Sequence, residues 1–258
     1  MEEDLLPFLS DLVTAAGKIT LRYYQTALEV ARKSDASPVT TADRESEEFL
    51  RREISRAFPQ DEILGEEFGA SGTRSSGRRW ILDPLDATKT FLHGVPLYGV
   101  LVGVELGGDL CAGAIAIPAL GEIVVAQRGK GCWWNGRRCT VSATPTLSEA
   151  LLLTTDVANN YRYGHGREWK ALSAGARMVR TWGDCYGYVL VATGRADVMV
   201  DPIAELWDIA AVKPIIEEAG GKFTDYAGNA TIQSRCGIAT NGTLHDEVLA
   251  IVSRAQAE

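Results

Sequence analysis

The run Trp80-Ile81-Leu82-Asp83-Pro84-Leu85-Asp86-Ala87-Thr88 constrains the fold more than any other stretch of the chain. An apolar strand leads straight into a carboxylate, so the fold must bury the strand and keep two acids at its end. Pro84 holds Asp83 extended and blocks helix there. The chain is then expected to turn at 84–86, bringing Asp83 and Asp86 to one point and leaving the Leu85 carbonyl free. Hard oxygens packed this closely suit magnesium or manganese. A short helix is expected over 87–93, with the Ala87 and Thr88 amides facing the same point as an anion site. The plainer alternative is that Asp86 only caps this helix and Asp83 sits in a turn.

Around this segment the pattern is mixed. Leu5, Phe8, Leu9, Leu12, Ala15 and Ala16 recur at helical spacing and predict a helix over 3–32, broken by a loop at 33–38. A second helix is expected over 42–58, closed by Pro59. Short strands are expected at 63–64, 80–82, 98–105, 111–117 and 122–127, a loop at 71–78, and a hairpin tip at Asn135-Gly136. Strands at 150–155 and 195–200, and helices at 184–193, 206–219 and 243–256, follow. Helices and strands alternate without a strict βαβ rhythm, which predicts layered α+β packing. No repeat or long linker divides the chain, so residues 1–258 are expected to form a single domain. Its two lobes are an N-terminal metal-binding one (about 1–143) and a C-terminal one (about 144–258).

Composition removes several function classes. A hydrophobic content of 46% is enough for a globular core, and the net charge of −8 is opposite to what a nucleic-acid surface needs. Every apolar run is interrupted well before the ~18 residues of a membrane span. The N-terminus opens Met1-Glu2-Glu3-Asp4, acidic where a secretory leader is basic, so a cytoplasmic protein is expected. The five cysteines form no CxxC pair and their number is odd, which argues against disulfides and zinc. Cys132 and Arg138 have the spacing of cysteine phosphatases, but the hairpin signal between them leaves no phosphate loop. Asp83 and Asp86 stand in a D-x-x-D spacing where an aspartyl-phosphate enzyme needs D-x-D, so no covalent intermediate is expected.

Two further acids stand in informative places. Glu66 lies in Gly65-Glu66-Glu67 at the end of a strand, and Asp208 opens the apolar helix Trp207-Asp208-Ile209-Ala210-Ala211. Taken singly, the first reads as a solvated loop acid and the second as a helix cap. Together with Asp83 and Asp86 they make a cluster whose repulsion calls for cations, and paired cations serve phosphate hydrolysis.

These three segments, with Asp83–Thr88 extended through Lys89-Thr90-Phe91, resemble the signatures of the inositol monophosphatase family. Val39-Thr40-Thr41-Ala42-Asp43 is similar to the threonine–aspartate segment that precedes them there, and order and spacing agree over about residues 5–250. The resemblance implies a layered αβαβα sandwich, shared with fructose-1,6-bisphosphatase, that is usually dimeric. It also implies a magnesium requirement, with manganese able to substitute and lithium often inhibitory. Carried over residue by residue, it implies metal ligation by Glu66, Asp83, the Leu85 carbonyl, Asp86 and Asp208. Thr88, paired with Asp43, would orient the attacking water, Glu66 would share in catalysis, and the Ala87 and Thr88 amides would bind phosphate.

The family has glycine where this chain has Ala87: a position needing positive φ would cost alanine about 1 kcal/mol and could shift the phosphate cradle, whereas an ordinary helix N-terminal position, the expectation here, leaves alanine harmless. Phe91–Gly99, Thr154-Thr155-Asp156 and Arg180–Tyr188 look most like the histidinol-phosphatase branch. Histidinol phosphate carries an ammonium and an imidazole, so Asp184 and Asp201 are expected to read it, with Arg180 as a further substrate-site candidate. The alternatives are an inositol-1-phosphate or broad small-metabolite phosphatase, and a binding protein that has lost turnover, with Ala87 as its symptom. Intact Thr88 and Asp43 argue against the last, since a mere binder has no need to orient water.

Overall fold

The computed structural model describes residues 3–26, 30–32 and 38–257. The loop expected over 33–38 therefore lies, apart from Pro38, outside the described residues, as do Met1 and Glu2.

Helix α1 (Leu6–Leu21) buries Leu9, Leu12, Val13 and Ala16, the stripe its spacing predicts. It stops well short of residue 32. Tyr24 instead packs its ring on Phe91 and Tyr98 and donates its hydroxyl to the Gly94 carbonyl, which draws the chain off the helix axis. Strand β1 (Val30–Arg32) pairs antiparallel with β2 (Pro38–Thr40), which leads into α2 (Thr41–Ala57). Then follow β3 (Glu62–Gly65), β4 (Gly69–Gly72), β5 (Arg78–Asp86), α3 (Thr88–Leu92), β6 (Gly99–Leu106), β7 (Asp109–Ile117), β8 (Glu122–Gln127), β9 (Gly131–Trp134) and β10 (Arg137–Cys139). The strands make one sheet in the order β10-β9-β8-β7-β6-β5-β3-β4, antiparallel except between β3 and β5. Asn135 and Gly136, both at positive φ, form the expected tip between β9 and β10.

The second half continues with β11 (Leu151–Leu153), α4 (Val157–Arg162), α5 (Gly166–Gly175), β12 (Met178–Arg180), α6 (Asp184–Ala192), β13 (Val198–Asp201), α7 (Leu206–Ala210), α8 (Val212–Glu218), β14 (Lys222–Thr224), β15 (Gly237–Thr240) and α9 (His245–Ala257). Its strands form a mixed sheet in the order β12-β11-β13-β15-β14. The single helix expected over 206–219 is two, because Pro214 has no N–H to offer the Ala210 carbonyl.

The layers are α, β, α, β, α. Leu9, Leu50, Ile54 and Trp80 belong to a core between α1, α2 and the large sheet. Ile115, Val124, Val189, Ile209, Ile215 and Phe223 fill a second core, where α6, α7 and α8 lie between the sheets. Trp169, Leu172, Val200, Ile238 and Val248 form a third, under α5 and α9. No described helix is long and apolar enough to cross a membrane.

Candidate metal centre and catalytic cleft

Strand β5 does not turn at 84–86. It stays paired with β6, Asp83 opposite Leu101 and Asp86 opposite Gly99, so β5 advances one residue more than its partner. In an unbroken strand, residues three apart point to opposite faces. This bulge resets the alternation and sends both carboxylates the same way, and Pro84, lacking an N–H, costs no ladder bond there. The Leu85 amide donates to Asp83 Oδ1 at 3.0 Å, within the bulge.

Asp208 arrives from the layer between the sheets. It is the third residue of α7: its carboxylate accepts the Glu205 amide while the Glu205 carboxylate accepts its own amide, so it is not the helix cap of the plainer reading. Gly103 and Gly113 face each other on β6 and β7, and a Cβ on Gly103 would come within 2.7 Å of Ala210. That bare patch lets the α7–α8 junction sit down on the sheet and brings Asp208 to the end of β5.

Asp83, Asp86 and Asp208 each offer an oxygen, all within 4.8 Å of one another. Each is also anchored by a main-chain amide: Leu85 to Asp83, Cys185 to Asp86 Oδ2 at 2.7 Å, and Glu205 to Asp208 Oδ2 at 2.7 Å. Burial, then Glu66, Asp86 and Asp208, push Asp83 well above the usual carboxylate range. Burial, then Asp86 and Glu66, do the same to Asp208, while the raised Asp86 is partly held down by Cys185. Glu66 thus stands close enough to act on both. A set of mutually repelling, all-oxygen donors fixed by amides fits a hard divalent cation.

The turn carrying Glu66 is secured by a residue with no sequence signal of its own. Fully buried Glu47, paired with Arg51 at 2.7 Å, accepts the amides of Glu67 (2.7 Å) and Phe68 (3.2 Å). Asp43 Oδ2 accepts the Thr40 amide (2.8 Å) and hydroxyl (2.7 Å), while its buried Oδ1 has no partner among the described residues. Burial raises its pKa to about 6. The Thr88 hydroxyl donates to the Leu85 carbonyl at 3.2 Å, not to Asp43.

Ala87 corrects an expectation. It is no ordinary helical residue but sits at φ 64°, ψ 45°, the left-handed region, directly before α3. For alanine that costs roughly 1–2 kcal/mol. Ala87→Gly relieves the strain but loses part of a packed methyl and about 0.4–1 kcal/mol through the freer unfolded chain. The expected net gain is about 0.5 kcal/mol, a rise in Tm of roughly 1–2 °C. Thermal melts of the two proteins check it, and a fall of several degrees would show that the conformation is not strained.

A cavity of about 490 Å³ opens at these acids, its lining including Glu66, Asp86, Thr88 and Asp208 together with Thr155, Asp156, Asp184, Tyr188 and Asp201. Asp201 accepts the Tyr188 hydroxyl at 3.0 Å and the Thr155 amide at 3.3 Å, and burial lifts it to about 6. Asp184 is raised by burial and by Asp86, Asp201 and Asp208, with Lys89, also in the cavity wall, opposing. Arg180 is not brought to the cavity: it is exposed at the end of β12, its guanidinium over the Trp182 ring. Thr155 and Tyr188 stood in the sequence only as part of a branch-like pattern, and nothing there marked Lys89 as a wall residue.

The profile of the inositol monophosphatase family matches residues 1–257. A protein of Chlorobaculum parvum named histidinol-phosphatase is 42% identical over 96% of each chain. One of the same name from Mycobacterium tuberculosis is 36% identical over 96% of this chain and 98% of its own. Among solved structures, an IMPase of Thermotoga maritima superposes with a TM-score of 0.88 at 30% identity, covering 99% of both chains.

Proposed function

Since the chain belongs to the inositol monophosphatase family and is a phosphoric monoester hydrolase, we propose that it hydrolyses L-histidinol phosphate to L-histidinol and phosphate, with magnesium as cofactor. The observation that carries the substrate is Asp184 and Asp201 in the cavity wall, acids beyond those assigned to the metal, with Asp156, which caps α4, in the same wall. A polyol phosphate needs no such charge, whereas an ammonium and an imidazole do. Relatives named histidinol-phosphatase at 36–42% identity support the same choice. The inositol phosphate reading draws on the likeness to the IMPase structure and on the neutral groups Thr90, Thr155 and Asn159 in the same wall.

Glu66, Asp83, the Leu85 carbonyl, Asp86 and Asp208 would hold the metal. Bound there, magnesium, or manganese in its place, supplies Lewis acidity toward a phosphoryl oxygen and lowers the pKa of water. The protein's own groups do the rest. Thr88 Oγ1, turned from the Leu85 carbonyl, would accept a proton from the attacking water and pass its own to the unpaired Asp43 Oδ1; a carboxylate near 6 is ionised at pH 7 and basic enough for that task. The Ala87 and Thr88 amides hold the phosphoryl oxygens, which accounts for the strained backbone at Ala87. Asp184 and Asp201 orient the leaving alcohol. One catalytic domain of two lobes, divided at about 143, a homodimeric state and a cytoplasmic location belong to the same reading.

Phosphate release with magnesium from histidinol phosphate, inositol phosphate, fructose bisphosphate and an adenosine bisphosphate, beside a Thr88→Ala control, tests it. The expected result is a kcat/KM for histidinol phosphate at least tenfold above the others, and a control slower by ~10²-fold. Preference for inositol phosphate would reject the substrate; a wild type as inert as the control on every ester would reject the enzyme.

A further inference from the structure

Asp184 is held in an unusual way. It opens α6 at φ 49°, a left-handed conformation that is uncommon outside glycine. The constraint comes from the end of β11. Thr155 Oγ1 accepts the Asp184 amide at 2.7 Å, while the Thr155 amide donates to Asp201 Oδ1 at 3.3 Å. Gly183, just before Asp184, lies so close to Thr155 that a Cβ there would collide with its Cα, amide nitrogen and hydroxyl. One residue further along, the Cys185 amide donates to Asp86 Oδ2 at 2.7 Å. A single residue thus touches both acids assigned to the substrate, and the same helix start is tied to the metal cluster.

We propose that Thr155 is the positioning residue for substrate recognition, its hydroxyl fixing Asp184 and its amide fixing Asp201 so that the two carboxylates face the cationic part of the phosphate ester together. This rests on the histidinol phosphate reading of the cavity. Thr155 need not touch substrate; it acts through the two acids. Replacing its hydroxyl by a methyl leaves the Asp184 amide without an acceptor and puts a carbon in the place of an oxygen that now sits 2.7 Å from the amide nitrogen. The start of α6 must then shift by a few tenths of an ångström, on the substrate side first.

The test compares wild type, Thr155→Val, Thr155→Ser and Asp184→Asn at saturating magnesium, reading KM and kcat with histidinol phosphate and with inositol phosphate. Thr155→Val is expected to raise the histidinol phosphate KM about tenfold, with kcat falling no more than about threefold and a smaller change in KM for inositol phosphate. Thr155→Ser, which keeps the hydroxyl, is expected within about twofold of wild type. Equal losses on both esters, a fall in kcat that serine does not restore, or an unchanged KM in Thr155→Val would each overturn the proposal. If Asp184→Asn raises the histidinol phosphate KM while Thr155→Val does not, the positioning role fails and the substrate reading stands. If Asp184→Asn leaves that KM unchanged, the substrate reading itself fails and the positioning role with it.

Discussion

Asp83→Asn is expected to lower kcat by roughly 10²- to 10³-fold at matched magnesium while the protein keeps its fold. The substitution leaves shape and volume almost unchanged, but an amide oxygen carries no formal charge for a divalent ion. Asp83 lies 2% exposed among Glu66, Asp86 and Asp208, and all three push its pKa up. In chelator, removing that charge relieves repulsion, so the variant should melt at or above the wild-type temperature. Activity and stability thus move in opposite directions, as expected where a binding site is strained for its function. Steady-state kinetics with a thermal melt in EDTA reads both. A variant within tenfold of wild type at equal magnesium would remove Asp83 from the ligand set.

Magnesium itself should stabilise the protein strongly, in a way that depends on pH. A ligand at about a hundred times its Kd adds about 2.7 kcal/mol, which for a chain of this size is a rise in Tm of roughly 5–10 °C. The sign of the metal-free pH dependence follows from the raised carboxylates. In the unfolded chain they release protons near 4, but folded Asp43 and Asp201 hold theirs to about 6, and burial and neighbouring acids raise Asp83, Asp184 and Asp208 well above the ordinary carboxylate range as well. Over that interval the folded state binds more protons than the unfolded one. Metal-free stability therefore falls as pH rises from about 4 through 6. Magnesium, which needs the ionised carboxylates, should have little effect near pH 4 and its largest effect above neutrality. Melting curves across pH, with and without magnesium, check this. A magnesium shift of the same size in Asp83→Asn, or none at pH 7.5, would contradict a metal site at the end of β5.

Gly103 and Gly113 show why the acids could be named from the sequence while their meeting could not. Asp83 and Asp86 are neighbours in the chain, and an apolar strand running into them already requires two acids at a buried edge. That Asp208 reaches them depends on two missing side chains on facing strands, which no local pattern connects with a helix a hundred residues later. Glu47 is similar: it reads as one more acid on an amphipathic helix, and only packing shows it holding the turn of Glu66. The turn expected at 84–86 failed because a proline followed by an acid reads alike in a turn and in a bulge, and pairing with β6 decides between them. At Ala87 the side chain gave the wrong signal. Alanine ordinarily avoids positive φ, but here its surroundings, among them the cluster of Ala42, Leu85, Phe91 and Tyr98 on which it packs, hold the backbone in place.

Short-range pattern alone names the candidate hard oxygens and their order, the buried strand that must carry two of them, and the family whose signatures they match. It also set the helical stripe of α1, the Asn135-Gly136 hairpin and the α+β class, because these depend on periodicity and turn chemistry within a few residues. Long-range packing sets how β5 passes its acids, where α1 ends, that 206–219 is two helices, and that Thr155 joins Asp184 to Asp201. The short strands β12, β14 and β15 belong with these, since three or four residues gain their conformation from the strand beside them. Local preferences are worth a few tenths of a kcal/mol per residue, and contacts between distant segments outweigh them wherever the two disagree.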